Sequence, residues 1–300
     1  MDYEGRLSRV REAMRERGIA LMYLRRGANL FYLTGIKRKG PELTDNNSFG
    51  DYIHGAYITL TGGITILAPR MGASGWKKQA EGKPWITRVK ILDESERPKE
   101  ILREVIGQLN MRGKGVAIEE RAWAHTVLLF RQVMPYSKLS NASEIIEPMR
   151  MIKDSDEIEV MKKAGEITDR VYGKVVDGLE RGQSEIDVAN AIDYEFRKQG
   201  ADYNSFVTGV RFRSPNHPWI LGESPDKPRL LEDGDTISFD FGCVYDGYCS
   251  DFGRTVYVGE PPAKVQEIHD LVMTAQGTAI EQMKEGELTC EQLDSVARGI

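Results

Sequence analysis

The segment of this sequence with the most chemistry in it runs from Asp240 to Thr255, DFGCVYDGYCSDFGRT. Asp246-Gly247 is a strong hairpin signal, because a type I′ turn needs positive φ at both central residues. With those two at the turn, Tyr245 pairs with Tyr248, and counting back along both strands sets Asp251 opposite Gly242. Asp240 lies two residues from Gly242 and shares its face. Asp240 and Asp251 then become diagonal cross-strand neighbours, about 7–8 Å apart at the backbone. Two carboxylates on one sheltered face repel each other and lose hydration, so one takes up a proton unless a divalent cation compensates. Gly242 and Gly253 fall on the same face, where missing side chains leave room for ions and substrate. Thr255 falls there too, placed to orient a carboxylate through a hydrogen bond. Phe239, Phe241 and Phe252 fall on the opposite face, as core. The plainer reading is that aspartates near hairpins are solvated or cap turns. It suits Asp246 and suits Asp240, between two phenylalanines, less well. On the residues alone both readings stand.

Four histidines are present, His54, His125, His217 and His269, and no two are spaced i, i+4 on a helix, so a zincin-type motif is absent. His269, near Glu267 and Asp270, reads as solvated. His125, two residues after Trp123, reads as structural. His54 borders a long polar loop and reads as an ordinary surface histidine. His217 differs, because Pro215 and Pro218 stiffen the loop that carries it, just ahead of the Asp240 strand.

Positioning these residues requires a framework, and hydrophobic periodicity supplies one. Residues 5–17 predict a helix stopped by Gly18. Residues 19–24 predict a buried strand and 29–36 a second short element. Residues 37–51 form a long loop of turn formers, of the kind often tied to function. Residues 56–69 predict a hairpin around Gly62-Gly63, 97–110 a helix and 114–120 a strand. Long amphipathic helices follow at 155–170 and 184–199, with Thr168-Asp169 and Ser184-Glu185 as candidate caps. Strands return from Phe206 onward, and helices close the sequence at about 263–284 and 289–300. This pattern predicts two domains, an α/β domain over 1–150 and a second domain over 151–300. LTCEQLDSVARGI breaks off without a C-cap glycine motif, which predicts that the sequence is the front part of a longer protein.

GDTISFDFGCVYDGYCSDFGRTVYVGEPP resembles the first metal-ligand hairpin of the aminopeptidase P / prolidase / creatinase family, the pita-bread metallohydrolases. MRMIKDSDEIEVMKKAGEI (149–167) resembles the entry to that family's catalytic domain. Residues 6–36 resemble the start of its N-terminal domain. The resemblance implies an α/β N-terminal domain followed by an α+β pita-bread catalytic domain, incomplete in this chain. It makes Asp240 and Asp251 the first two ligands of a site for two divalent ions, manganese foremost, with zinc, cobalt or iron as alternatives. The family completes that site with a His and two Glu further along, and those motifs are missing here. His217 is implied to contact the substrate and steady the tetrahedral intermediate. The implied reaction cleaves the bond before proline in short peptides through a metal-bridged hydroxide. The implied assembly is a homodimer, with loop 37–51 reaching the neighbouring pocket. Two features depart from the pattern: Gly253 replaces the usual Thr, and the stretch between His217 and Asp240 is long. Family members acting on other amides or amidines, or a non-catalytic protein on the same fold, are the rival readings. The paired aspartates speak against a metal-free, creatinase-like chemistry.

Composition narrows the remaining classes. The 300 residues are 40% hydrophobic and 29% charged, as in a soluble globular chain. The net charge of −5, without a basic block, excludes the electrostatic footprint of a nucleic-acid binder. No stretch approaches the roughly 20 apolar residues of a membrane span. Three cysteines and a charged N-terminal segment fit a cytoplasmic protein.

Overall fold

Ile19–Leu24 (β1) buries all six of its apolar residues. A strand without a polar face must be covered on both sides, and this dictates the architecture around it. The structure, a computed structural model, describes residues 1–38, 49–108, 115–215, 229–284 and 286–300. β1 lies inside a six-stranded mixed sheet with β2 (Gly55–Thr59), β3 (Ile64–Pro69), β4 (Ile86–Leu92), β5 (Gly115–Ile118) and β6 (Leu139–Asn141), in the order β4-β3-β2-β1-β5-β6. The β1–β2 and β2–β3 pairs are antiparallel; β3–β4, β1–β5 and β5–β6 are parallel. Alternation along β1 sends Met22 and Leu24 to one core and Leu21 and Tyr23 to the other. The first core takes Leu7, Val10 and Met14 of α1 (Tyr3–Glu16), Leu30 and Leu33 of α2 (Ala28–Thr34), Trp76 of α3 (Ala73–Ala80) and Ile145 of the helix Ser143–Met151. The second takes Leu102 and Val105 of α4 (Pro98–Gln108) and Phe130 of α5 (Ala124–Val133). With Ser143–Met151 as α6, this is a sheet sandwiched between helical layers.

The predicted hairpin over 56–69 is present, pairing Ala56 with Ile66, and Gly62 takes a φ of 76° at its turn. The short element at 29–36 is the helix α2, closed by Gly35 in the left-handed conformation. Ten residues of loop 37–51, numbers 39–48, lie outside the described residues.

Further along come α7 (Ser155–Asp177) and α8 (Glu185–Lys198). Ser184 caps α8 as predicted: its Oγ accepts from the Asp187 N–H at 3.1 Å, and the Asp187 carboxylate accepts from the Ser184 N–H at 2.8 Å. Thr168 caps nothing. It lies well inside α7, where its hydroxyl donates to the Ala164 carbonyl at 2.9 Å. Two small antiparallel sheets follow. One joins β7 (Tyr203–Asn204), β10 (Cys243–Tyr245) and β11 (Tyr248–Cys249); the other joins β8 (Gly209–Arg213), β9 (Thr236–Phe241) and β12 (Phe252–Tyr257). The helices α9 (Ala263–Glu281) and α10 (Cys290–Arg298) carry no buried residue.

The chain divides into two compact units. Met1–Arg170, Phe196–Phe206 and Gly242–Ser250 form the first; Val171–Glu195, Val207–Phe241 and Asp251–Ile300 form the second. In the second unit, Val210, Phe212, Ile237, Phe239, Phe241 and Phe252 are buried. Tyr172 packs there with ring centroids 5.7 Å from Phe239 and 5.1 Å from Phe252.

Candidate functional site

Asp246 and Gly247 have φ of 49° and 85°, the positive pair that a type I′ turn demands. From that turn the register runs outward as predicted. Tyr245 pairs with Tyr248 and Val244 with Cys249; beyond them Phe241 pairs with Phe252 and Asp240 with Gly253. The count is unbroken between the two sets, so Asp251 falls opposite Gly242. Burial along β9 alternates, with Ser238 and Asp240 exposed and Ile237, Phe239 and Phe241 buried. On the returning strand Asp251, Gly253 and Thr255 are exposed and Phe252 is buried. Both aspartates therefore belong to the polar face, away from the phenylalanines.

Two expectations about that face are corrected. Asp240 and Asp251 were expected in a sheltered pocket, yet both are exposed. The β12-β9-β8 sheet packs its apolar side, and no layer of described residues covers the other. Water can hydrate both acids, so repulsion in a dry pocket no longer argues for an ion. Gly242 was expected to leave room, yet it is buried, and a Cβ there would run into the Ser250 carbonyl and the Ser205 Oγ. Its glycine serves close packing. Gly253 does leave room: a Cβ there would meet nothing nearer than the Phe239 carbonyl oxygen at 4.0 Å.

The tip of the hairpin, in the first unit, is held by residues far away in sequence. Arg6, 1% exposed, reaches Asp154 at 2.6 Å and Glu157 at 3.1 Å, and its guanidinium lies 4.1 Å from the Tyr32 ring centre. The Tyr248 hydroxyl donates to Glu157 at 2.8 Å. Burial, with the Glu157 carboxylate beside it, holds that phenol well above its ordinary value, so it stays protonated and donating. Lys37 pairs with Asp246, and the Phe31 and Tyr248 rings meet edge-on at 5.7 Å. A Cβ at Gly247 would come within 2.5 Å of Phe31 Cζ, so this position requires glycine for space as well as for φ. Sequence reasoning missed this clamp, since Arg6 and Glu157 share no local pattern.

His217 lies outside the described residues. His54 is no surface residue: it is 8% exposed, its Nε2 is buried without a hydrogen-bond partner among the described residues, and burial pushes its pKa down to about 4. His125 is exposed and stacks on Tyr52, ring centres 4.1 Å apart. His269 is exposed, as expected, 3.4 Å from Asp270. One cavity in the first unit, of about 110 Å³, lies among Arg25, Asn29, Glu119 and Arg150 and holds neither aspartate.

Carboxylate oxygens on an open, glycine-lined face suit hard or borderline divalent ions. Asp240 and Asp251 fit as two members of a donor set. No group of three or more His, Cys, Asp or Glu residues poised around one ion occurs among the described residues.

Comparison with known proteins decides the family. Residues 159–300 match the family model of metallopeptidase family M24, and residues 6–152 match that of the creatinase/prolidase N-terminal domain. The solved prolidase of Thermococcus sibiricus matches all of this chain and 77% of its own, at 31% identity and a TM-score of 0.83. The chain belongs to metallopeptidase family M24. Its fold is thus a creatinase/prolidase N-terminal domain followed by an M24 pita-bread domain. The Xaa-Pro dipeptidase of Pyrococcus furiosus is 28% identical over 98% of this chain and 76% of its own length. The Bacillus subtilis peptidase YqhT is 34% identical over 62% of this chain. The chain spans about half the length of YqhT, 52%, and about three quarters of the other two. M24 is a family of metal-dependent hydrolases, and membership implies divalent ions at the site. Among the described residues no helix is long and apolar enough to cross a membrane.

Proposed function

We propose that this protein is an M24 metallopeptidase of the Xaa-Pro dipeptidase type, cleaving the bond before proline in short peptides. The observation that carries this reading is the pair Asp240 and Asp251 on one face of a register-locked hairpin, within a chain that matches a prolidase along its full length. Asp240 and Asp251 would hold divalent metal, manganese by preference, together with further donors. When bound, the ions supply Lewis acidity and lower the pKa of water near the scissile amide. The chain's own residues set up that chemistry. Gly253 keeps the face clear beside Asp240. The turn at Asp246-Gly247 fixes the register that puts both aspartates on one face. His217, between prolines, would donate to the substrate carbonyl oxygen as charge develops on it. A domain division near residue 150, a homodimer and a cytoplasmic location belong to the same proposal.

The test uses the whole protein, freed of metal and then titrated with manganese. Hydrolysis of Xaa-Pro dipeptides, dependent on metal and lost in Asp251→Asn, is the expected result. Wild-type activity in Asp251→Asn would overturn the assignment of ligands. A non-catalytic protein on the same fold is the rival reading that this test separates from it. Metal binding without hydrolysis of any dipeptide or amide tried would support it.

A further inference from the structure

Beside the two aspartates, both strands of the hairpin are tied at one place, Gly242 and Ser250. The Cys243 N–H donates to Ser250 Oγ at 2.9 Å. Ser250 Oγ and Thr168 Oγ1 lie 2.6 Å apart. The Thr168 hydroxyl also reaches the Ala164 carbonyl, one helical turn back, at 2.9 Å. The two hydroxyls thus share one short hydrogen bond, and a chain of bonds links Cys243 through Ser250 and Thr168 to Ala164. From the other side, Ser205 Oγ donates to the Ser250 carbonyl at 3.0 Å. The Ser205 N–H donates to the Gly242 carbonyl at 3.0 Å. Ser205 thus grips both strands at once. Cys243 fills the space around the hydroxyls, its Sγ 3.6 Å from Ser250 Oγ and 3.7 Å from Thr168 Oγ1. Burial pushes its thiol up, outweighing its contacts with the Ser250 and Thr168 hydroxyls, so it stays a neutral packing group.

We propose that Thr168, Ser250 and Ser205 are positioning residues for the Asp240 and Asp251 carboxylates. Ser250 is bonded directly to Asp251, and Gly242 lies two residues from Asp240. Fixing these two points sets the separation of the acids that one ion, or a pair of ions, must span. The β9–β12 ladder holds the strands on the far side of the acids, and this seam holds them on the near side. The three hydroxyl residues touch neither metal nor substrate; they act through the backbone. The inference rests on the metal-site reading of the aspartates.

The experiment measures divalent-metal affinity of the whole, metal-stripped protein by calorimetric titration with manganese and by the visible spectrum with cobalt. Thr168→Val and Ser250→Ala should each weaken binding about tenfold or more, the scale seen when hydrogen-bonded supports of metal ligands are removed. Thr168→Ser, which restores the hydroxyl, should return affinity to within about twofold of wild type. Ser205→Ala should shift the cobalt spectrum in the same direction. Ser184→Ala, which loosens a helix cap elsewhere, serves as the control for lost stability and should leave affinity unchanged. Affinity unchanged in Thr168→Val and Ser250→Ala, with binding abolished in Asp251→Asn, would overturn the inference and leave the metal site standing. Wild type binding no better than Asp251→Asn would overturn both.

Discussion

Replacing His54 by phenylalanine should remove most of the acid sensitivity of the first unit between pH 7 and pH 5. The imidazole is buried and its Nε2 has no partner among the described residues. Burial lowers its pKa from 6.5 to about 4. The folded chain therefore refuses a proton that the unfolded chain accepts. The resulting stability is fully present above pH 6.5 and drains away as the pH falls towards 4. The interval between the two values corresponds to about 3 kcal/mol, of which about 2 kcal/mol is gone by pH 5. Phenylalanine keeps a planar ring in the same space and takes up no proton. Urea unfolding followed by tryptophan fluorescence weights the right region, because three of the four tryptophans, Trp76, Trp85 and Trp123, belong to the first unit. Wild type should lose about 2 kcal/mol more than His54→Phe on going from pH 7 to pH 5. Equal losses in the two proteins, or an imidazole that titrates near 6.5 by NMR in the folded state, would refute the burial argument.

Five further outcomes follow from the structure. Gly247→Ala should cost about 2 kcal/mol or more in thermal unfolding, from positive φ and the Phe31 ring together. Gly253→Ala should stay within about 0.5 kcal/mol of wild type, because its Cβ meets open space. Arg6→Met should destabilise by about 3 kcal/mol or more, since Glu157, 3% exposed, is left as a buried charge without its cation. Tyr248→Phe should cost nearer about 1 kcal/mol by the same urea titration. Ser184→Ala should cost about 1 kcal/mol through the lost cap of α8, read from its melting temperature.

The parts of the fold readable from sequence are those with a local cause. Asp246-Gly247 dictates its turn whatever surrounds it, and the turn dictates the register, so the shared face of Asp240 and Asp251 was available by counting. β1 and the capped helix α8 were available for the same reason. What covers a face is a different matter. Periodicity sorts residues into two sides without saying which side meets solvent, and the phenylalanines correctly marked the buried side while the aspartate side was wrongly expected to be sheltered. His54 shows the converse error. Its polar neighbours in sequence suggest the surface, whereas its position just before β2 carries it into the core. At Thr168 a capping signal of two residues loses to the helix that runs on to Asp177.

The contrast between Gly242 and Gly253 bears on what this chain contributes to a metal site. Both glycines sit opposite an aspartate, yet one seals the strands together and the other leaves space. The hairpin is thus rigid just beside the acids and open where they point. A hard divalent ion takes about six oxygen donors, and two carboxylates offer at most four. At least two positions around such an ion are then left to other donors. The pair's contribution is geometric: two charges delivered at a fixed spacing by bonds that involve no metal. Affinity and metal choice must then depend on the donors that complete the set. Substitutions in the hairpin seam should change how well any ion is held more than which ion is held, because spacing acts on every ion of similar radius alike.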